Sequence, residues 1–341
     1  MKQLNLLAED SRLERLTELG DSLVLANELV DWESFRPILE EAFRVIPKAP
    51  GGRPPLDRVM MFKGMILQQW YDLSDDKTEY AINDRLSFQR FLGLTLSDKV
   101  FDAKTIWAFR EHLKTTGVYD TLFNKFTEQM KSAGVITKTG TLVDATFVEV
   151  PVQRNTREEN KKIKEDEIPE DWSDNKKAQK DTDARWTKKN NKNHYGYKNH
   201  AKVDKDSKII VSYQVTPANV HDSQMIDYLV EPDDKAVWAD SAYTGDLVKQ
   251  KLKSINPQIE INIISKGYRN TPLTDEQKAE NHEMSKVRCR VEHPFGHIKK
   301  AMGGMDIRSI GIERAKCTIA LKNMAYNIQR YVCLIKPKKA T

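Results

Sequence analysis

The chain has 341 residues, of which 39% are hydrophobic and 31% are charged, and its formal net charge is +5. At roughly 150 residues per domain, this length predicts about two domains with apolar cores of their own. The three cysteines, Cys289, Cys317 and Cys333, form no C-x-x-C pair and so support neither a disulfide framework nor a zinc knuckle. The N-terminus meets charge early and no run of about 18 apolar residues occurs, which predicts a cytoplasmic protein without a membrane partner.

The first part of the sequence, residues 1–134, is predicted to be helical throughout. Apolar residues recur at helical spacing from Leu13 to Leu23 and again from Val59 to Trp70, after a break at Gly51–Pro55. Gly93 is the kind of residue that follows a helix end. A compact helical domain of this kind often docks on DNA, but the same pattern is equally typical of a structural bundle.

From Gly134 the apolar pattern changes to the alternation of strands. Strands are predicted over 141–148, 195–203, 208–215, 236–239 and 259–265, with helices after the third, fourth and fifth. This order predicts an α/β domain over 135–341, a mixed sheet flanked by helices, with Asp144 in the first strand and Asp240 at the end of the fourth. Residues 153–193 lack periodicity and are rich in charge, so they are predicted to be a mobile insertion.

Charge is distributed unevenly along the chain. Residues 158–174 hold eight acidic side chains and three lysines, whereas residues 286–339 hold thirteen Lys or Arg side chains and three acids. A stretch this basic suits a phosphate-binding surface, because each neutralised phosphate releases counterions. A solvated basic face would have the same composition, so both interpretations stay open at this point.

Within the basic stretch, Arg288, Glu292 and Lys299 stand at i, i+4 and i+11. On one continuous helix these positions lie within roughly 60° of one another, at about 100° per residue. The acid suits a metal ion and the cations suit phosphates. The alternative is an exposed Arg–Glu pair worth a few tenths of a kcal/mol, and the spacing by itself favours that alternative. Pro294 is expected to disturb the helix beside Glu292.

Several segments of the chain resemble a known family, the DDE transposases of bacterial insertion sequences. Residues 288–299 (RCRVEHPFGHIK) resemble its third catalytic block, residues 141–146 (TLVDAT) its first and residues 237–243 (VWADSAY) its second. Residues 194–200 and 216–223 are similar to the linking strands, and residues 30–35, 52–55 and 102–110 to the N-terminal helical domain. The resemblance spans nearly the whole chain and is closest to the insertion-sequence-five family.

One position departs from the family pattern. The third block often has a tyrosine three residues before the arginine, where this chain has Ser285. Tyr268, Tyr243 and Trp186 are the aromatic side chains that could replace it near DNA.

The resemblance implies an RNase H-like catalytic domain whose catalytic residues are Asp144, Asp240 and Glu292. These three acids would be the ligands of two Mg²⁺ ions, with Mn²⁺ as an alternative. The side chains expected to contact phosphate or DNA are Arg288, Lys299, Lys198, Arg290, Lys300 and Tyr243. The implied partners are the terminal inverted repeats and target DNA, bound by a homodimer or larger assembly associated with a bacterial nucleoid.

Other functions are compatible with parts of the same sequence. A catalytically silent DNA-binding descendant and an RNase H-like nuclease without strand transfer are the two alternatives to an active transposase. His293 and His297 at i, i+4, with Cys289 nearby, form the pattern of half a zinc site, but no second ligand pair accompanies them. One group of aromatic side chains could stack on DNA bases or anchor the insertion to the sheet: Trp186, His194, Tyr195 and Tyr197.

Overall fold

The computed structural model describes residues 8–44, 55–150, 154–165, 167, 169, 171–189, 191–268 and 272–336. The predicted break at Gly51–Pro55 lies almost entirely outside these residues. The chain divides into two units, Met1–Gln129 with Leu321–Thr341, and Met130–Ala320. Among the described helices, none is both long and apolar enough to cross a bilayer.

The predicted helical N-terminal region is confirmed. Asp57, Ser74 and Asp102 each accept a backbone N–H at the start of a helix, and Gly93 takes a left-handed conformation at the end of another. Phenylalanines dominate the buried interior of these helices. Their bounds are α1 Ala8–Glu18, α2 Ser22–Leu29, α3 Arg36–Ala42, α4 Arg58–Tyr71, α5 Asp75–Asp84, α6 Leu86–Leu92, α7 Ala103–Thr116 and α8 Val118–Ser132.

The described residues of the rest of the chain build a six-stranded mixed sheet flanked by helices, which confirms the predicted α/β class. The strands run in the order β2-β3-β1-β5-β6, with β4 also paired to β3. β3 is antiparallel to β1, β2 and β4, whereas β5 is parallel to both β1 and β6. Their bounds are β1 Thr141–Glu149, β2 Arg185–Lys189, β3 Lys192–Asp204, β4 Ile210–Pro217, β5 Ala236–Ala239 and β6 Glu260–Ile263.

Seven further helices accompany the sheet among the residues that the structure describes. An apolar cluster that includes Val143, Val237, Leu229 and Leu252 packs two of them against it. Their bounds are α9 Arg157–Lys164, α10 Asp174–Gln179, α11 Ile226–Leu229, α12 Asp246–Ile255, α13 Asp275–Arg288, α14 Glu292–Ala301 and α15 Ile312–Ile335.

The segment 153–193 contains more regular structure than its composition predicts, since α9, α10 and β2 all lie in it. Thr156 and Glu159 form a capping box at the start of α9. Glu159 also binds Lys176 and Lys180, which ties α9 to α10. Charged residues can therefore order this segment through helix caps and ion pairs. The pattern of hydrophobic residues in the sequence does not reveal these interactions. Its mobility in solution stays a prediction.

The last helix belongs to both units. The sequence places all of 135–341 in one domain, but the part of α15 from Leu321 onward is grouped with the helical unit. Lys322 binds Asp72, and Lys336 donates to the carbonyl of Gly20. These polar contacts join positions more than two hundred residues apart, so no local sequence pattern announces them.

Candidate active site

Asp144 lies in β1 with its side chain 14% exposed. Its Oδ1 accepts a hydrogen bond from the N–H of Ala145 at 2.8 Å, and its Oδ2 is 3.4 Å from Nη1 of Arg288. Burial raises the pKa of Asp144 to about 6, and the negative charge of Asp240 adds to the rise. The Ala145 bond and the charges of Arg288 and Lys189 offset it only in part. A further cation beside Asp144 would therefore stabilise its ionised form.

Asp240 reaches the same edge of the sheet from a different strand. Val143 of β1 pairs with Ala239 of β5, and the two strands are parallel. The residues that follow Val143 and Ala239 are Asp144 and Asp240. They therefore lie at the same end of the β1–β5 strand pair. Oδ1 of Asp240 accepts the N–H of Ala242 at 2.8 Å and caps the 3-10 turn that follows β5.

Glu292 begins α14, and its side chain is 63% exposed. Its Oε1 accepts a hydrogen bond from Nη2 of Arg288 at 3.0 Å. The i, i+4 ion pair that the spacing favours is thus present. Because the same guanidinium also lies beside Asp144, Arg288 bridges the two carboxylates.

The single helix assumed for residues 288–299 is wrong. α13 ends at Arg288, a 3-10 turn covers Cys289–Val291, and α14 begins at Glu292. Pro294 lies in the first turn of α14, where a backbone N–H would have no helical partner, so it helps to start this helix. The side chains of Arg288 and Glu292 still contact each other, because the 3-10 turn between them keeps the backbone in a helical conformation.

The three acids, Asp144, Asp240 and Glu292, form a donor set that suits a hard divalent cation, since Mg²⁺ and Mn²⁺ prefer carboxylate oxygens. The raised pKa of Asp144 fits the same role, because it reflects a carboxylate whose charge Arg288 does not fully balance. Their oxygens do not form one tight group, however. In the described part of the chain, the group that brings three ligand atoms within 4.8 Å of one another lies elsewhere, at Glu231, Asp233 and Asp234.

Lysines occupy that other acidic group. Nζ of Lys202 is 2.8 Å from a carboxylate oxygen of both Glu231 and Asp234. Lys138 binds Asp233. Since each acid already has a lysine partner, this group is a set of ion pairs before β5 and not the predicted site.

The predicted phosphate-binding cations of the basic stretch lie at the surface. Lys299 and Lys300 are exposed in the last turn of α14. Arg290 is about half-exposed, with Nη1 3.4 Å from Oδ1 of Asp206. Arg290 lies two residues before Glu292 in the chain, and Lys299 and Lys300 lie in the last turn of the helix that Glu292 begins.

Lys198 and Tyr243 are placed differently from the other predicted DNA contacts. Lys198 is buried, and its Nζ donates to the carbonyl of Val220 at 2.7 Å and to Oδ1 of Asp222 at 2.8 Å. Tyr243 is fully buried in the apolar cluster on the sheet. A direct phosphate contact would require both side chains to leave these positions, because neither offers a donor at the surface.

The aromatic group of the insertion and β3 has the geometry of anchors. The hydroxyls of Tyr195 and Tyr197 donate to the carbonyl and the carboxylate of Asp181, at 3.1 Å and 2.8 Å. Trp186 donates to the carbonyl of Asn155 at 2.8 Å. His194 stacks on a neighbouring phenylalanine of β1. These contacts join the insertion to the sheet, which supports anchoring over base stacking.

A zinc site at the paired histidines receives no support. The rings of His293 and His297 lie 6.2 Å apart and nearly parallel. Neither they nor Cys289 belongs to a group of three metal-ligating side chains in the described ranges.

Comparison with known proteins identifies two regions. A family model described as a transposase DDE domain matches residues 136–328, more than half of the chain, and this region contains Asp144, Asp240 and Glu292. A second model, described as a transposase domain, matches residues 11–112. A similar solved structure is the cryo-EM synaptic complex of the piggyBac transposase with hairpin DNA, at 10% identity and a TM-score of 0.45, covering 93% of this chain and 77% of that chain.

Proposed function

The chain belongs to the DDE transposases, and from this membership we propose that it cuts DNA at the terminal inverted repeats of an insertion sequence and joins the freed ends to target DNA. Membership in the insertion-sequence-five family, and action as a homodimer or larger assembly, are parts of the same proposal.

The observation that carries the proposal is the convergence of Asp144 and Asp240. Parallel pairing of β1 and β5 brings both carboxylates to one end of the strand pair. Burial raises the pKa of Asp144, and the negative charge of Asp240 raises it further. Such an arrangement is costly for the fold and is common at functional sites.

Asp144, Asp240 and Glu292 would hold the divalent ions, whose chemistry is to activate the attacking oxygen and to stabilise the leaving oxygen of an in-line displacement. Arg288 contacts both Asp144 and Glu292 and would thereby orient the third acid towards Asp144. Arg290, Lys299 and Lys300 bind the phosphates of the DNA backbone and position the scissile bond.

Two displacements at phosphorus make up the reaction. In the first, a water oxygen bonds to phosphorus, the bond to the 3′ oxygen breaks, and the 3′ oxygen takes up a proton. In the second, this 3′-hydroxyl attacks a target phosphate, loses its proton and displaces the target's own 3′ oxygen. One phosphodiester bond replaces another in the second step, so no energy-rich cofactor is needed.

Amide variants of the acids test the proposal. Asp144→Asn and Asp240→Asn are expected to lower the nicking rate of end-containing DNA by about 10³-fold or more, because several kcal/mol of transition-state stabilisation is lost. DNA affinity should be retained, as measured by mobility shift in Ca²⁺. Asp246→Asn, an exposed acid at the start of α12, is the matched control and should nick at the wild-type rate.

The variant Glu292→Gln distinguishes two roles of Glu292, that of a metal ligand and that of a partner in a surface ion pair. If Glu292 is only an exposed partner of Arg288, the variant should lose a few tenths of a kcal/mol of stability and keep its nicking rate. The proposal expects the opposite, a nicking defect comparable to that of Asp144→Asn with little change in stability. An Asp144→Asn protein that still nicked DNA at the wild-type rate would refute the metal mechanism.

Strand transfer is tested with pre-cut ends that carry a free 3′-hydroxyl. Joining of these ends to a supercoiled plasmid is expected from a transposase. A protein that nicks end-containing DNA but never joins pre-cut ends would be a nuclease, the alternative left open by the sequence.

A further inference from the structure

A buried ion pair joins β3 to the 3-10 turn that follows β4. Nζ of Lys198, in β3, is 2.8 Å from Oδ1 of Asp222, and their side chains are only 10% and 9% exposed. Burying two charges costs several kcal/mol of desolvation free energy, which the pair recovers only with good geometry and further hydrogen bonds. A pair that brings little net stability is a candidate for a positioning role.

Asp222 is connected to Asp240 through two short turns. Asp222 begins the 3-10 turn Asp222–Met225, and this turn packs against the 3-10 turn Ser241–Tyr243. The second turn is the one that Asp240 caps with its own carboxylate. Displacing Asp222 therefore disturbs the turn on which the position of Asp240 depends.

Two buried polar atoms beside Asp222 lack a hydrogen-bond partner in the described part of the chain: Nδ1 of His200 and the hydroxyl of Tyr243. Nδ1 of His200 is 3.8 Å from Oδ1 of Asp222, while its Nε2 contacts the hydroxyl of Thr216 at 2.8 Å. Unpaired buried polar atoms are rare, because each forfeits its hydration without replacement.

The charges around Asp222 are unequal. Burial lowers the pKa of His200 to about 4, so this ring is neutral near pH 7. Burial, followed by the charges of Asp222, Asp144 and Asp240, raises the pKa of Tyr243 well above its ordinary value, so its hydroxyl stays protonated. The positive charge that faces Asp222 is therefore that of Lys198.

We propose that Asp222, neutralised by Lys198, is a positioning residue that holds the Asp240 turn in the geometry that divalent-ion binding requires. The proposal rests on the proposed role of Asp240 as a metal ligand. It assigns a role to the segments 194–200 and 216–223, which carry Lys198 and Asp222 and which the proposed chemistry does not otherwise use.

The chain offers a matched control on the same strand. Lys202, four residues after Lys198 in β3, is also buried and pairs with the buried Asp234 at 2.8 Å. Residues four apart on a strand share a face. Asp234 accepts a hydrogen bond from the hydroxyl of Thr141, the first residue of β1. This second ion pair therefore lies at the start of β1, three residues before Asp144.

The experiment measures Mn²⁺ binding to the full-length protein by calorimetry, with urea unfolding in parallel. Asp144→Asn identifies which binding event belongs to the three acids. Asp222→Asn is expected to raise the Kd of that event about tenfold, as changes of residues that orient metal ligands do. Asp234→Asn should lower the free energy of unfolding about as much as Asp222→Asn does. It should leave this Kd within about twofold of the wild-type value.

Tyr243→Phe keeps the folding outcome separate from the binding outcome. Because it removes a buried hydroxyl without a partner, it should fold at least as stably as the wild type. Its Mn²⁺ affinity should stay within about twofold of the wild-type value, because the hydroxyl bonds to neither Asp222 nor Asp240.

Each result decides between the two proposals. Wild-type Mn²⁺ affinity in Asp222→Asn, or an equal loss of affinity in Tyr243→Phe, would overturn the positioning role and leave the proposed function intact. An equal loss in Asp234→Asn would also overturn it, since the effect would then follow from any buried pair of β3. Binding that is indifferent to Asp144→Asn would instead remove the proposed function on which the inference rests.

Discussion

At the scale of single residues, the ionised side chain of Asp144 lowers the free energy of unfolding of the metal-free protein. Its pKa rises from an ordinary 3.8 to about 6 in the folded state, chiefly through burial. The protonated form is therefore favoured by folding, and the stability that it contributes is complete below about pH 4 and lost as the pH rises through about 6.

Asp144→Asn is accordingly expected to stabilise the metal-free protein at pH 7.5, by up to about 3 kcal/mol for a shift of about two units. Urea unfolding with a chelator present measures the difference, which should shrink towards pH 4.5. Asp246→Asn should show no such pH-dependent gain. A variant less stable than the wild type at pH 7.5 would contradict the burial of a poorly balanced charge at this position.

Glu292 is compatible with both interpretations of the Arg288–Glu292 spacing, the ion pair and the metal ligand. The sequence pattern favours an exposed i, i+4 ion pair, and that pair exists at 3.0 Å. The same arginine also lies 3.4 Å from Asp144, which no helical spacing could indicate. The ion pair and the proposed ligand role are thus compatible.

At the scale of elements, Asp181 is the residue that ties the insertion to the sheet and to α15. Its carboxylate accepts the Tyr197 hydroxyl at 2.7 and 2.8 Å and the N–H of Gly311 at 3.1 Å, one residue before α15 begins. It also accepts the N–H of Ala184 at the end of its own loop. A single buried carboxylate therefore joins three parts of the chain.

Asp181→Ala is expected to lower the free energy of unfolding by about 3 kcal/mol, because it leaves the buried Tyr197 hydroxyl and the backbone N–H groups of Asp183, Ala184 and Gly311 without an acceptor. Urea unfolding measures the loss, and hydrogen exchange should show faster opening at Gly311. Asp174→Ala, an exposed acid in the first turn of α10, is the control and should cost less than about 1 kcal/mol. Equal losses in both variants would show that the network is not specific to Asp181.

Glu159 explains why the charged insertion forms helices. Burial would raise the pKa of this carboxyl, but the Thr156 backbone bond and the contacts with Lys176 and Lys180 outweigh it and lower the pKa to about 2. A network of several charges with caps can order a segment that has few apolar residues. Trp172, which is buried and donates to Glu159 at 3.1 Å, supplies the apolar anchor.

At the scale of the whole molecule, the distribution of charge matters more than its sum. The net charge is only +5, yet thirteen Lys or Arg side chains fall within residues 286–339. This concentration supports DNA binding that weakens with salt, since each phosphate contact releases counterions.

Lys299→Gln and Lys300→Gln are each expected to reduce the slope of log K against log salt by about 1 and to weaken binding to any DNA sequence alike. Fluorescence anisotropy between about 50 and 200 mM salt measures the slope. Lys249→Gln, an exposed lysine of α12, should leave it unchanged. A slope insensitive to both substitutions in α14 would place the DNA elsewhere on the protein.

The sequence by itself determined five of the six described strands and the places of Asp144 and Asp240 among them, because strand alternation and strand ends are local properties of the chain; it missed β2, which lies in the charged insertion. It also determined the family, through blocks of residues whose order is visible without any structure. Only the tertiary structure decided that Arg288 bridges Asp144 and Glu292, that Lys198 turns inward to Asp222, and that the end of α15 joins the helical unit. The reason is physical: each of these outcomes depends on which distant partner satisfies a buried charge or donor, and a charged side chain has the same local sequence pattern whether it faces water, DNA or the interior.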